Sequence, residues 1–206
     1  MTQGEGRERW ADRYAQAGAE DKAGSTWLLE AAMSLPPDAT IVDLAGGLGR
    51  HARPLAAQGR RVVVVDFVES ALRVARDRAP RVEVVTADIW QLPFGRDSLD
   101  AILVANFLER DFFPTLKGLL RPGGFLLYET YTVAHAALVT AGEARAPRSP
   151  RYMLEEGELL RLVSPLEVLA SREGTVDDAA GRRACASVLA RRAEASDAGT
   201  PRARMG

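Results

Sequence analysis

The sequence predicts an α/β protein built on a doubly wound, mostly parallel sheet with helices on both faces. Two observations carry that expectation. From residue 40 to 131, apolar runs of strand length alternate with segments of helical period, as parallel strands joined by helical crossovers require. The run RVVVVD, residues 61–66, is β-branched and uninterrupted, the pattern of a strand covered on both faces. Right-handed crossovers then wind the sheet in both directions from its first strand.

TIVDLA (40–45) reads as the first strand, and GRHARPLAAQG (49–59) as a helix with Ala52, Leu55 and Ala56 on one stripe and Gly59 at its end. RVVVVD is the second strand, followed by the helix ESALRVARDRA (69–79) with Leu72, Ala75 and Ala79 aligned. RVEVVTAD (81–88) and SLDAILVANF (98–107) are strands three and four; DFFPTLKGLL (111–120) is a helix with Pro114 in its first turn, stopped by the turn RPGG. FLLYETY (125–131) is the fifth strand, and MLEEGELLRLV (153–163) has the period of an amphipathic helix. LEVLASREGTV (166–176) and RACASVLARR (183–192) are strands joined by only DDAAGR, too short for a helical crossover, so this pair is antiparallel. The expected sheet therefore has seven strands, the last reversed.

At 206 residues and 47% hydrophobic, the chain suffices for one core and is short for two. We expect a helical cap segment at 1–38, a single domain at 39–192 and a flexible tail at 193–206. A net charge of -1 offers no basic face for phosphate backbones, so nucleic acid is not an expected partner. The one cysteine, Cys185, cannot form an internal disulfide, and the polar start MTQGEGRERWADRY lacks a secretory core, which points to a cytoplasmic protein. No apolar run approaches the roughly 18 residues of a membrane helix, so no membrane partner is expected either. Monomer and homodimer both remain open.

Residues 43–52, DLAGGLGRHA, carry the strongest functional signal. A glycine-rich bend between a strand and a helix lets backbone N–H groups approach a nucleotide or nucleoside. Two patterns fit. Gly47, Gly49 and Ala52 match G-x-G-x-x-A of dinucleotide sites, with Asp66 ending the next strand. The alternative places an acid ahead of the glycines, D-x-G-x-G-x-G, filled by Asp43, Ala45, Gly47 and Gly49 with alanine for the first glycine. Only the second gives Asp43 a task.

Four stretches in order, VDLAGGLG (42–49), VVVVDFVESAL (62–72), TADIWQLPFGRDSLDAI (86–102) and LLRPGGFLLYE (119–129), resemble the class I S-adenosylmethionine-dependent methyltransferases. The resemblance spans residues 40 to 192 and implies their Rossmann-like seven-stranded fold, with S-adenosyl-L-methionine as cofactor and S-adenosyl-L-homocysteine as product. It implies that Asp43 holds the methionine amino end and that the backbone of Ala45, Gly46, Gly47 and Gly49 lies along the ligand. Asp66 would chelate the ribose hydroxyls, with Phe67 over the adenine. Asp88 would meet the adenine amino group, beside the Ile89 N–H, while Asn106 and Phe107 would flank the reactive methyl. Trp10 and Tyr14 resemble the N-terminal segment that covers the cofactor in small-molecule members. Ala45 departs from the usual glycine.

Ordinary explanations stand beside these. Asp88 at a strand end either caps the following turn or contacts the ligand, with nothing in the sequence to decide. Asp97 and Asp100 read as turn residues at the far edge, His51 as structural or solvated, and Cys185 as buried filler. The acceptor is narrowed by exclusion. Asn106 is followed by Phe-Leu-Glu rather than the Pro-Pro-aromatic signature of base amino methylation, and Cys185 lies too far along for a pyrimidine-directed nucleophile. A small molecule remains, methylated by direct in-line displacement without a metal, and ANFLERDFF, LLYETYTV and SPRYMLEEGELLRL resemble compact methyltransferases of the tellurite-resistance type. Glu129 and His135 are the candidate bases, Tyr128 and Tyr131 pocket walls, and Glu109 and Arg110 candidates to orient a polar acceptor. An NAD(P)-linked oxidoreductase and a non-catalytic nucleotide-binding scaffold are the alternatives; no Tyr-x-x-x-Lys pair follows strand four or five to serve the first, and intact Asp43 and Asp66 disfavour the second.

Overall fold

In the computed structural model, which describes residues 8, 10–15, 23–144 and 149–194, the β-branched runs form the middle of one seven-stranded sheet. The strands are β1 (Thr40–Leu44), β2 (Arg61–Asp66), β3 (Glu83–Thr86), β4 (Leu99–Ala105), β5 (Leu120–Tyr131), β6 (Glu167–Asp178) and β7 (Gly181–Arg191), in the order β3-β2-β1-β4-β5-β7-β6. Strands β1 to β5 pair in parallel, and β7 runs antiparallel to both β5 and β6. The reversed seventh strand is as expected. Val62, Val64 and Val65 of β2 are buried, each contributing roughly 1.5–3 kcal/mol relative to exposure.

Helices cover both faces. On one lie α2 (Thr26–Met33), α3 (Ala52–Ala57) and α4 (Glu69–Arg78), which place Leu28, Leu55 and Leu72 in a core with Ile41, Leu103 and Leu127. On the other, α5 (Phe113–Leu119) and α7 (Glu158–Val163) bring Phe113, Leu116 and Leu159 against Val42, Ile102 and Leu126. A short helix α6 (His135–Thr140) follows β5, and residues 10–15 are helical (α1). The strand order reverses between β1 and β4, so the carboxyl ends of these strands open the crevice where doubly wound sheets bind ligands. Of the expected tail, residues 195–206 lie outside the described residues, as do 1–7, 9 and 16–22 of the expected cap segment.

Several boundaries differ from expectation. The helix after the glycine loop starts at Ala52 rather than at 49, because Gly47 and Gly49 take left-handed φ values of 54° and 70°. RPGG is not a plain turn: Leu120 already pairs with Leu99, and an irregularity between Leu99 and Ala101 absorbs the extra residues. Gly124 is required there, since a Cβ would stand 2.8 Å from the Arg121 carbonyl oxygen and 2.9 Å from that of Leu99. The helix expected at 153–163 shrinks to Glu158–Val163, because Leu154 is recruited as a bridge partner of Thr132. Its N–H donates to the Tyr131 carbonyl at 2.8 Å, which extends the sheet edge past β5.

Candidate active site

Strand β1 delivers Asp43 to the crevice and ends at the glycine loop. Ala45 has φ 54°, a left-handed conformation that raises the energy of a non-glycine residue by roughly 1–2 kcal/mol. Gly46 admits no side chain: a Cβ would stand 2.7 Å from the Asp43 carboxyl carbon and 2.8 Å from Val64 Cγ1. Asp43 is 1% exposed, and neither of its carboxylate oxygens accepts a hydrogen bond. Burial lifts its pKa to about 7 and the nearby Asp66 adds to the rise, while Arg50 and the backbone N–H of Ala52, too far off line for a full hydrogen bond, pull it down. A buried acceptor without donors is destabilising unless something brings them, and a ligand ammonium fits this site.

Asp66, at the end of β2, is 2% exposed but well supplied. Its Oδ2 accepts from the Gly47 N–H at 2.9 Å and from the Tyr14 hydroxyl at 3.2 Å, and its Oδ1 from the Val68 N–H at 2.9 Å. Burial raises its pKa while these donors hold it down. Tyr14 lies directly on the loop, where a Cβ at Gly47 would stand 2.7 Å from its hydroxyl. Trp10 packs on Tyr14 with ring centroids 5.6 Å apart, so the structure brings both N-terminal aromatics to the crevice. Phe67 follows Asp66, half-buried.

Asp88 caps the turn Ile89–Gln91, its Oδ1 accepting from the Trp90 N–H at 3.0 Å. Ile89 and Phe107 line a narrow apolar cavity with Leu44, Val104, Phe112 and Tyr128. The Tyr128 hydroxyl donates to the Phe107 carbonyl at 2.7 Å and fixes that wall. Asn106, just past β4, has φ 53°; its N–H donates to the Glu129 carbonyl at 2.8 Å, and its side-chain amide faces the Arg50 guanidinium, from which the oxygen accepts once the amide is turned toward it.

The candidate bases are placed otherwise than expected. Glu129 is 2% exposed, and its Oε2 accepts from Ser187 Oγ at 2.7 Å, Ser25 Oγ at 2.9 Å and Arg172 Nη2 at 3.0 Å. Its Oε1 accepts from Arg183 Nη2 at 2.8 Å. A carboxylate held by two guanidiniums and two hydroxyls anchors structure and has no lone pair left for an acceptor's proton. His135 is buried, its Nδ1 accepting from the Ala184 N–H at 3.2 Å and its ring 4.4 Å from that of Tyr131. Except for Tyr131, these partners lie on β6, on β7 and at the cap of α2, beyond the reach of local sequence.

Arg110 likewise serves the fold. It grips Glu158 through two nitrogens at 2.6 and 2.8 Å and donates to the Met153 carbonyl at 2.9 Å. Asp100, at the opposite end of β4, accepts from the Thr40 N–H and Arg121, and Asp97 pairs with Arg192. His51 is buried and its pKa is lowered, first by burial, so it is neutral and accepts from the Ser25 N–H at 3.0 Å. Burial also lifts Cys185 to about 11.

A sheet ordered β3-β2-β1-β4-β5-β7-β6 with its seventh strand reversed, and acids flanking a glycine loop at the switch point, define the class I S-adenosylmethionine-dependent methyltransferase fold. Residues 41–124 match the family model described as a methyltransferase domain. It is 40% identical, over 50% of its length and 45% of the relative's, to a demethylmenaquinone methyltransferase of Clavibacter sepedonicus. It is 32% identical, over 56% of each chain, to the ubiquinone/menaquinone biosynthesis C-methyltransferase UbiE of Pseudomonas fluorescens. The matches thus span about half the length of these curated relatives. Among solved structures, a SAM-dependent methyltransferase of Methanosarcina mazei superposes with TM-score 0.67 at 18% identity, covering 84% of this chain and all of that one. TehB of Haemophilus influenzae gives 0.65 at 20% identity over 85% of this chain and 65% of its own.

Proposed function

We propose that the protein transfers a methyl group from S-adenosylmethionine to a small-molecule acceptor. The observation that carries this reading is Asp43, a buried carboxylate without a donor, set beside the glycine loop and opposite Asp66. Asp43 receives the ligand's ammonium, and Asp66 receives the ribose hydroxyls in charge-assisted bonds. Backbone at Ala45 to Gly49 lies along the ligand. Phe67, Ile89 and Phe107 supply the apolar walls for adenine, and Asp88 with the Ile89 N–H meets its polar edge. The bound cofactor supplies an activated methyl on its sulfonium.

The chain's own part is then to orient, desolvate and align, which is enough for in-line displacement on so strong an electrophile. Glu129 and His135 contribute by holding the acceptor-side frame and not by taking a proton. Relatives named for demethylmenaquinone, ubiquinone and menaquinone favour quinone-like compounds as the first acceptors to test. Among the described residues no helix is long and apolar enough to cross a membrane. Monomer and homodimer are equally compatible with the site, and light scattering separates them. Isothermal calorimetry with S-adenosylmethionine, S-adenosylhomocysteine and NADH tests the core claim. Binding of the two sulfur nucleosides is expected; heat from NADH alone would overturn the reading.

A further inference from the structure

Tyr14 stands where the reading above places the cofactor. Its hydroxyl donates to Asp66 Oδ2 at 3.2 Å, an oxygen that also accepts the Gly47 N–H at 2.9 Å. Its ring lies against the loop backbone, since a Cβ on Gly47 would meet the phenol Oη, Cε1 and Cζ at 2.7, 2.8 and 2.8 Å. Burial, and then the charge of Asp66, raise the pKa of the hydroxyl, so it stays protonated and a donor. With Tyr14 in place, Asp66 is only 2% exposed. A carboxylate oxygen offers about two lone pairs, and both of those on Oδ2 are engaged. A ribose that chelates Asp66, in a ligand that lies along Gly47, needs the acceptor and the space that this phenol holds.

The segment that carries Tyr14 and the frame behind it are held differently. Within α1 the aromatic contacts are internal: Trp10 packs on Tyr14 with centroids 5.6 Å apart, and the Arg13 guanidinium lies 4.9 Å from the Trp10 ring centre. Where the chain enters α2, buried polar groups anchor it. The Ser25 N–H donates to His51 Nε2 at 3.0 Å, while Ser25 Oγ donates to Glu129 at 2.9 Å and accepts from Arg183 Nη2 at 3.1 Å. The Thr26 N–H adds a bond to Asp178 at 3.2 Å. These bonds fix α2 independently of α1, so α1 can leave the loop without disturbing the frame. We propose that Tyr14 is an autoinhibitory plug: in the empty protein its phenol occupies the ribose position on Asp66, and it must leave, with α1, before a nucleoside can bind. The inference rests on the cofactor reading above and changes the part of Tyr14 from cover over a bound cofactor to competitor for its place. The affinity of such a site is its intrinsic affinity reduced by the fraction of molecules in which the plug is out.

Calorimetry with S-adenosylhomocysteine reads the competition directly. Tyr14→Phe removes the bond that holds the plug in and tightens binding about tenfold; Tyr14→Ala, which removes the ring as well, tightens it at least as much. Trypsin cleavage after Arg13, followed by mass spectrometry, reports where α1 is. Saturating S-adenosylhomocysteine speeds this cleavage in the wild type, and Tyr14→Phe is cut faster before any ligand is added. A residue that covers a bound cofactor gives the opposite signs, weaker binding in both variants and protection at Arg13 by the ligand. Either of those signs overturns the plug, as does an unchanged affinity in variants whose thermal unfolding matches the wild type. If neither the wild type nor Tyr14→Phe binds S-adenosylhomocysteine or S-adenosylmethionine, the cofactor reading itself falls, and the plug with it.

Discussion

Replacing Asp43 with Asn separates what this residue does for binding from what it does to the fold. A carboxyl whose folded pKa is about 7, against an ordinary 3.8, binds its proton more tightly in the native state than in the unfolded chain. Native stability is therefore unpenalised below pH 3.8, declines as pH rises through the interval, and levels off above about 7. At about 1.4 kcal/mol per pH unit the full loss is about 4 kcal/mol, of which roughly 1.6 kcal/mol has accrued by pH 5. Asn cannot ionise, so its own buried amide adds a penalty that does not change with pH. The stability difference between Asp43→Asn and wild type should thus move by about 3 kcal/mol in favour of the variant between pH 5 and pH 8.5. Urea unfolding at the two pH values, with equal slopes confirming two-state behaviour, measures it. A difference that stays constant within about 0.5 kcal/mol would mean that Asp43 is not a buried unpaired acid, and the site would lose its central feature.

Other substitutions probe the rest of the crevice. Asp66→Ala removes the acceptor at the end of β2 and should weaken S-adenosylhomocysteine by about 1–3 kcal/mol in calorimetry; an unchanged dissociation constant sinks the ribose assignment. Glu129→Ala strands Arg172 and Arg183 and should lower unfolding free energy by about 3–5 kcal/mol in urea, whereas a base without structural duties would leave stability intact. Ala45→Gly relieves a left-handed alanine but loosens the unfolded chain, for a net gain of about 0.5–1 kcal/mol seen as a rise in Tm of a few degrees. A fall in Tm would show that the loop is held by something other than its backbone angles.

How far the chain could be read from its residues depended on the range of the interactions involved. The parallel core was legible because β2 must be apolar on both faces, and RVVVVD has no other comfortable state in water. Asp43 and Asp66 were legible because a strand end and a glycine loop sit beside them in the same stretch. Glu129 misled for the same reason: it also lies near the carboxyl end of a strand, but its meaning comes from Arg172 and Arg183, more than forty residues away on β6 and β7. Met153 and Leu154 carried helical period, yet the edge beyond β5 claimed Leu154 and left only Glu158–Val163 helical. Arg50 sat inside the quoted motif and was still missed, because in a chain with 27 basic residues, nearly all arginine, no single one stands out. Only Asn106 approaching it from β4 makes it particular.

The unfavourable features of the molecule are not spread evenly. Among the described residues, left-handed φ values occur at three non-glycine positions, Ala45, Asp97 and Asn106. Two of them flank the switch point, where the unpaired Asp43 carboxylate also lies. Asp97 is the exception and is exposed in a turn at the opposite end of the sheet. Strain of this kind persists only where surrounding packing over-determines it, and the largely buried β1 and β4 supply that packing. A ligand ammonium at Asp43 would return much of the stability that its burial removes. The stabilisation conferred by a bound S-adenosyl ligand should accordingly grow as pH rises through 7, where the empty site is at its least favourable.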